Sequence, residues 1–169
     1  MKIKGDSCMK YISTNIFSDF EFHDSYFRFE SFKNNTLTIT VKYLNVHKNI
    51  EQNLYDTDME IEYAQIAFNN FRVMSFEPAR TWKQDIQGEY YTDEPQVIYE
   101  GEIAKEKTFA EFRFGITVME FGTLENGNYY FDALGNVPWF QVQFLFDSAT
   151  VEWDEFKKKA WYEEKPFKK

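Results

Sequence analysis

His23-Asp24 is the one pairing in this chain whose residue types and spacing invite a catalytic reading. A carboxylate beside an imidazole can fix its tautomer and raise its basicity, which is what a general base needs. Adjacent strand residues, however, point to opposite faces, so neighbours in sequence seldom become a working pair. The plain alternative is a strand-entry position where Asp24 caps a turn or accepts backbone amides. No serine or cysteine sits in a glycine-flanked elbow that would make it a nucleophile. The other histidine, His47, lies 24 positions further on, and with scattered carboxylates it matches no metal-ligand spacing. Glu60 and Glu62 share a face, as do Asp56 and Asp58 if extended, and either pair could bind Ca²⁺. Among 28 acidic residues such pairs arise by chance. Nothing identifies the two carboxylates of a glycoside hydrolase, and the 7 glycines form no phosphate-binding loop. The expectation is no catalytic set, no metal and no cofactor.

Aromatic side chains are the better lead. Trp82 stands between Arg80 and Lys83, followed by Tyr90, Tyr91, Asp93 and Glu94, in a stretch without clear strand pattern. Rings with a few charges serve as anchors in protein interfaces and as stacking surfaces for sugars. These residues are the candidate partner contacts. The competing reading folds the rings back to plug one end of the core. Trp153 and Trp161 pose the same choice, weighted more toward packing.

The elements that must position these residues follow from periodicity. Thr36 to Tyr43 alternates Leu37, Ile39, Val41 and Tyr43 with Thr36, Thr38, Thr40 and Lys42, which predicts a half-buried antiparallel strand. Lys33-Asn34-Asn35 supplies the turn before it, making residues 25–44 a hairpin. Further strands are predicted over 59–68, 71–76, 96–103, 108–121, 129–131 and 140–146, with turns at Asn69-Asn70 and Asn126-Gly127. Residues 1–20 fit a short helix or a draped strand, 47–58 a loop, and 79–95 an irregular segment. After Val151 and Trp153 a strand turning at the lysine run competes with a short helix. The fold class is therefore mainly β, an antiparallel β-sandwich or open barrel with at most one or two short helices. The chain reads as one domain over 1–169, with a frayed start at about 1–10 and a tail at 163–169.

At 169 residues with 19 Phe, 11 Tyr and 4 Trp, the chain can bury a large core without disulfide or metal. The lone Cys8 leaves no internal disulfide and no thiolate cluster. Net charge is −9, from 19 basic and 28 acidic residues, which disfavours nucleic acid and suits a basic protein partner. No apolar stretch reaches signal-peptide or membrane-span length, so the expected location is cytoplasmic, with no membrane partner. A bare sheet edge would allow a homodimer.

Phe22-His23-Asp24-Ser25, together with Val151-Glu152-Trp153-Asp154-Glu155-Phe156 and Lys159-Ala160-Trp161-Tyr162-Glu163, resembles a group of small uncharacterised bacterial proteins. They share an FHDS start, a Thr/Leu/Ile strand and an EW-x-x-F…AWYE finish. Some similar small acidic proteins act as immunity proteins beside secreted toxins. The resemblance touches both ends of the chain, brings no catalytic residue, and implies a non-enzymatic intracellular protein. Three readings of function result. The first is a non-catalytic binding protein, in its specific form an immunity-type inhibitor of a basic toxin. The second is a small-molecule or carbohydrate-binding β-sandwich with Trp82, Tyr90 and Tyr91 as its platform. The third is a hydrolase using His23 and Asp24.

Overall fold

Between Thr36 and Lys42 every second residue is buried: Leu37, Ile39 and Val41 face the core while the threonines between them are half-exposed. The same rule generates most of the chain. The computed structural model describes residues 9–164; Cys8 and most of the expected loose ends lie outside them. In chain order the elements are β1 (Tyr11–Ser13), α1 (Ile16–Asp19), β2 (Phe20–Glu21), β3 (Tyr26–Lys33) and β4 (Thr36–Lys42). There follow β5 (Asn45–Val46), β6 (Met59–Ile61), β7 (Ala64–Asn69), β8 (Arg72–Pro78), β9 (Lys83–Gln84), β10 (Tyr90–Tyr91) and β11 (Tyr99–Glu100). The rest are α2 (Gly101–Phe114), β12 (Ile116–Thr123), β13 (Tyr129–Leu134), β14 (Phe140–Leu145), β15 (Ser148–Trp153), β16 (Phe156–Lys159) and a 3-10 turn (Trp161–Glu163). The protein is mainly β and its sheets are antiparallel.

Ten strands form one sheet in the order β1-β15-β7-β4-β3-β12-β13-β14-β8-β11. Two connections show how it curls. Strands β7 and β8 are third and ninth in that order, yet only Asn70 and Phe71 join them. Strands β15 and β14 are second and eighth, joined only by Phe146 and Asp147. Links this short require the two halves of the sheet to face each other. The halves meet through β3 and β12, which pair over two positions, and β-bulges in β3, β12 and β8 add curvature. Rings fill the space between: Phe68 of β7 lies 6.0 Å from Phe144 of β14, and Phe71 lies 5.4 Å from it. A smaller sheet, β16-β6-β5-β2, contributes Phe20, Val46 and Ile61 to the same core.

Helix α2 is the main departure from the sequence reading, which placed strands at 96–103 and 108–121. Only Tyr99–Glu100 of the first pairs, and the second begins at Ile116. Ala110, Phe112 and Phe114 alternate by accident. The residues that α2 buries, Ala104, Thr108, Phe109, Glu111 and Phe112, follow helical spacing instead. Phe109 packs against Phe29, Phe32 and Phe71 at 5.8, 5.0 and 6.3 Å. Gly115 ends the helix at φ 102°, its amide donating to Glu111 O. At 14 residues this helix is longer than the short ones expected.

Smaller corrections concern boundaries. Tyr43 leaves the inward row and stands exposed at φ 60°. The 59–68 run divides at Glu62-Tyr63 between two sheets. At the end of the chain the turn comes at Asp154-Glu155, so the lysine run lies on β16 and the 3-10 turn follows it. Glu163, expected in the tail, belongs to that turn. Among the described residues no helix is long and apolar enough to cross a membrane.

Candidate functional site

Two regions gather the residues that the fold leaves for function. The first is the hairpin arm formed by β9 and β10, where Tyr90 pairs with Gln84 and Tyr91 with Lys83. The segment expected to be irregular thus contains a two-stranded ribbon, and it forms a sheet of its own. A lone ribbon of this size is marginal without extra ties. Asp85 provides them at the tip, its Oδ1 accepting the amides of Gln87 and Glu89, each at 2.9 Å. At the base Thr81 donates its amide to Glu94 at 2.9 Å, and this bond holds the Glu94 carboxyl below its usual range. Thr92 donates to Thr81 O at 2.7 Å, and Lys83 is paired with Asp93. Asp93 and Glu94, expected as partner contacts, are therefore engaged within the arm.

The apolar side chains of the arm have no such employment. Ile86 at the tip is 96% exposed, Tyr90 71% and Trp82 54%. These rings stand in solvent and do not fold back over the core. Strand alternation places Trp82 and Tyr90 on one face of the ribbon and Tyr91 on the other. The three rings consequently do not form one flat platform. The Arg80 guanidinium lies 5.1 Å from the Trp82 ring, covering part of it.

The second region is a cleft of about 610 Å³ whose wall includes Glu21, His23, His47, Glu120, Trp161 and Tyr162. Both histidines of the chain line it. The link is topological, because β2 pairs with β5, placing Glu21 opposite Asn45, and the ends of these strands carry the two imidazoles. His23 lies in a turn, not on a strand, with Asp24 at φ 66°. This backbone lets neighbours approach: His23 Nε2 is 3.7 Å from Asp24 Oδ2. His23 Nδ1 lies 2.6 Å from Met119 O, at the bulge of β12. A carbonyl only accepts, so Nδ1 carries the proton and Nε2 is left as the lone-pair nitrogen.

His47 is arranged in the same sense. Its Nδ1 lies 2.9 Å from Asp58 Oδ2. The Lys48 amide donates to Asp58 Oδ1 at 2.7 Å, and the Tyr162 hydroxyl donates to Oδ2 at 2.8 Å. Burial pushes the Asp58 carboxyl up, but the bonds from His47, Lys48 and Tyr162 outweigh it and hold the group below its usual range. The carboxylate therefore accepts from His47 Nδ1, again leaving Nε2 as the basic nitrogen. The loop before Asp58 is held by Asn53, whose Nδ2 donates to His47 O at 3.2 Å and Thr57 O at 3.1 Å. Burial and the bond to Asp58 together push the Tyr162 phenol far up. Glu21 accepts the His23 amide at 2.9 Å and Glu120 accepts the Tyr130 hydroxyl at 2.5 Å. Among the described residues no three metal-ligating side chains converge to hold an ion.

Trp161, weighed toward packing in the sequence, is half-exposed on this wall, whereas Trp153 is fully buried. His47, Asp58 and Tyr162 as a unit escaped sequence reasoning, since residues so far apart carry no spacing signal. Compared with protein-family models, with curated proteins and with solved structures, the chain matches none.

Proposed function

We propose that this chain is a non-catalytic binding protein that grips a basic protein partner with the β9–β10 arm. The observation that carries this reading is the exposure of Trp82, Ile86 and Tyr90 on a ribbon already tied together by its own hydrogen bonds. Trp and Tyr are the residue types that dominate interface energetics. Ordering the arm in advance lowers the entropy that association must overcome. The arm carries Arg80 and Lys83 against Asp85, Glu89, Asp93 and Glu94, on a chain of net charge −9, so a basic surface would be attracted and steered. The immunity-type inhibitor suggested by sequence resemblance is the specific form of this proposal.

Co-expression tests it. Each protein encoded beside this chain's gene is produced with the wild type, or with a Trp82→Ala/Ile86→Ser/Tyr90→Ala variant. The expected result is growth protection against one basic, toxic neighbour, lost in the variant at equal soluble level. No protection against any neighbour would end the immunity form, and equal protection by the variant would end the role of the arm.

A further inference from the structure

The cleft presents hydrogen-bond acceptors and ring faces, and among the described residues no lysine or arginine lines it. The tautomers fixed by Met119 O and Asp58 leave Nε2 of His23 and of His47 as acceptors. Glu21 and Glu120 each engage one carboxylate oxygen with a protein donor through Oε1. Tyr162 has turned its only proton inward to Asp58. The Trp161 indole lies beside His23, ring centroids 6.2 Å apart, and Phe121 completes the apolar wall. Among the described residues no three of these acceptors come together on a metal ion. A planar cation with several N–H donors can serve acceptors on separate walls, which a point charge cannot.

A second observation concerns the small sheet whose strands lead to Glu21 and His47. Asn45 is 1% exposed, and neither its Nδ2 nor its Oδ1 has a hydrogen-bond partner. It stands opposite Glu21 across the β2–β5 ladder and two residues before His47, so by alternation the three share one face of the small sheet. Unpartnered buried amides are rare in folded proteins and costly. This one neighbours Glu21 and His47 without itself lining the cleft.

We propose that the cleft binds a guanidinium group carried on an apolar stem. Carboxylates at Glu21 and Glu120 would take its N–H donors in charge-assisted bonds, and the Trp161 and Phe121 faces would take the cation and stem. The site is separate from the arm and does not depend on it. A small guanidine and an arginine side chain offer the same chemistry, so both are probed.

Calorimetric titration with agmatine and with the peptide N-acetyl-Ala-Arg-Ala-amide decides the matter, using the whole chain. Saturable binding of one or both is expected, weakened about tenfold or more in Glu21→Gln/Glu120→Gln and in Trp161→Ala. The glutamine variants keep the acceptor oxygens that His23 and Tyr130 use. Glu106→Gln/Glu125→Gln removes the same charge at exposed positions outside the cleft and the arm, and should bind as the wild type does. Agmatine alone binding identifies a small-molecule site; the peptide binding equally identifies a side-chain site. Three results would overturn the proposal: no saturation with either probe, equal weakening by the two glutamate pairs, or equal binding of the neutral probe n-butylurea.

Discussion

Tyr162 donates its phenol proton to Asp58 Oδ2 at 2.8 Å, although 104 positions separate the two residues. The same oxygen takes the Nδ1 proton of His47, so one carboxylate anchors both the C-terminal 3-10 turn and an imidazole of the cleft. The backbone adds to this, since Ala160 donates its amide to Asp58 O at 2.9 Å. Removing the charge should loosen the cleft wall before it disturbs the core.

That carboxylate makes stability depend on acid. The folded protein holds Asp58 below its ordinary range, so the contribution is present above the unfolded value, near pH 4, and is lost as pH falls through the folded value. Thermal melts from pH 2 to 7 should show Asp58→Asn less stable than wild type at neutral pH, with the gap closing in acid. A gap constant across pH would contradict this role.

Tyr130 gives the opposite limb. Its bond to Glu120, with lesser help from burial, pushes the phenol up to about 12. A raised value stabilises the fold fully below the unfolded value, about 10, and that contribution disappears as pH climbs through the folded one. Between pH 10 and about 12, Tyr130→Phe should lose stability less steeply than wild type. Parallel alkaline melts for the two proteins would contradict the assignment.

Gly115 should tolerate no side chain. A Cβ there would lie 1.8 Å from Tyr26 Oη and 2.5 Å from its Cζ, on a backbone at φ 102°. Gly115→Ala is expected to cost roughly 3 kcal/mol or more, a fall in Tm of about 10 °C. The double variant Gly115→Ala/Tyr26→Ala should not restore wild-type stability, because the backbone strain remains. Denaturant unfolding of both variants checks it.

The half-buried strands were legible because one face of each meets the core, so Leu37, Ile39 and Val41 write their burial into the sequence. The turns at Asn34-Asn35, Asn70 and Gly127 were legible too, since each adopts the positive φ that these residue types permit. Helix α2 was hidden by the chance alternation of Ala110, Phe112 and Phe114, although the Ala, Glu and Lys of residues 102–107 and the cap at Gly115 carried a helical signal. The arm's rings were picked out by type, but their exposure is a property of how Asp85, Asp93 and Glu94 tie the ribbon together. Of the cleft, residue type singled out His23 and Trp161, but not their meeting: pairing of β2 with β5 and the return of Tyr162 to Asp58 assemble it from distant segments.

The arm is the centre of the account, and the dissociation constant of the complex is its most direct test. With the basic partner identified by co-expression, the constant is measured for the wild type and for Trp82→Ala/Ile86→Ser/Tyr90→Ala, alongside the Tm of each. Binding weakened by about thirtyfold or more, with stability changed by no more than about 0.5 kcal/mol per site, is the predicted result. An unchanged dissociation constant would contradict the claim that these exposed side chains hold the partner.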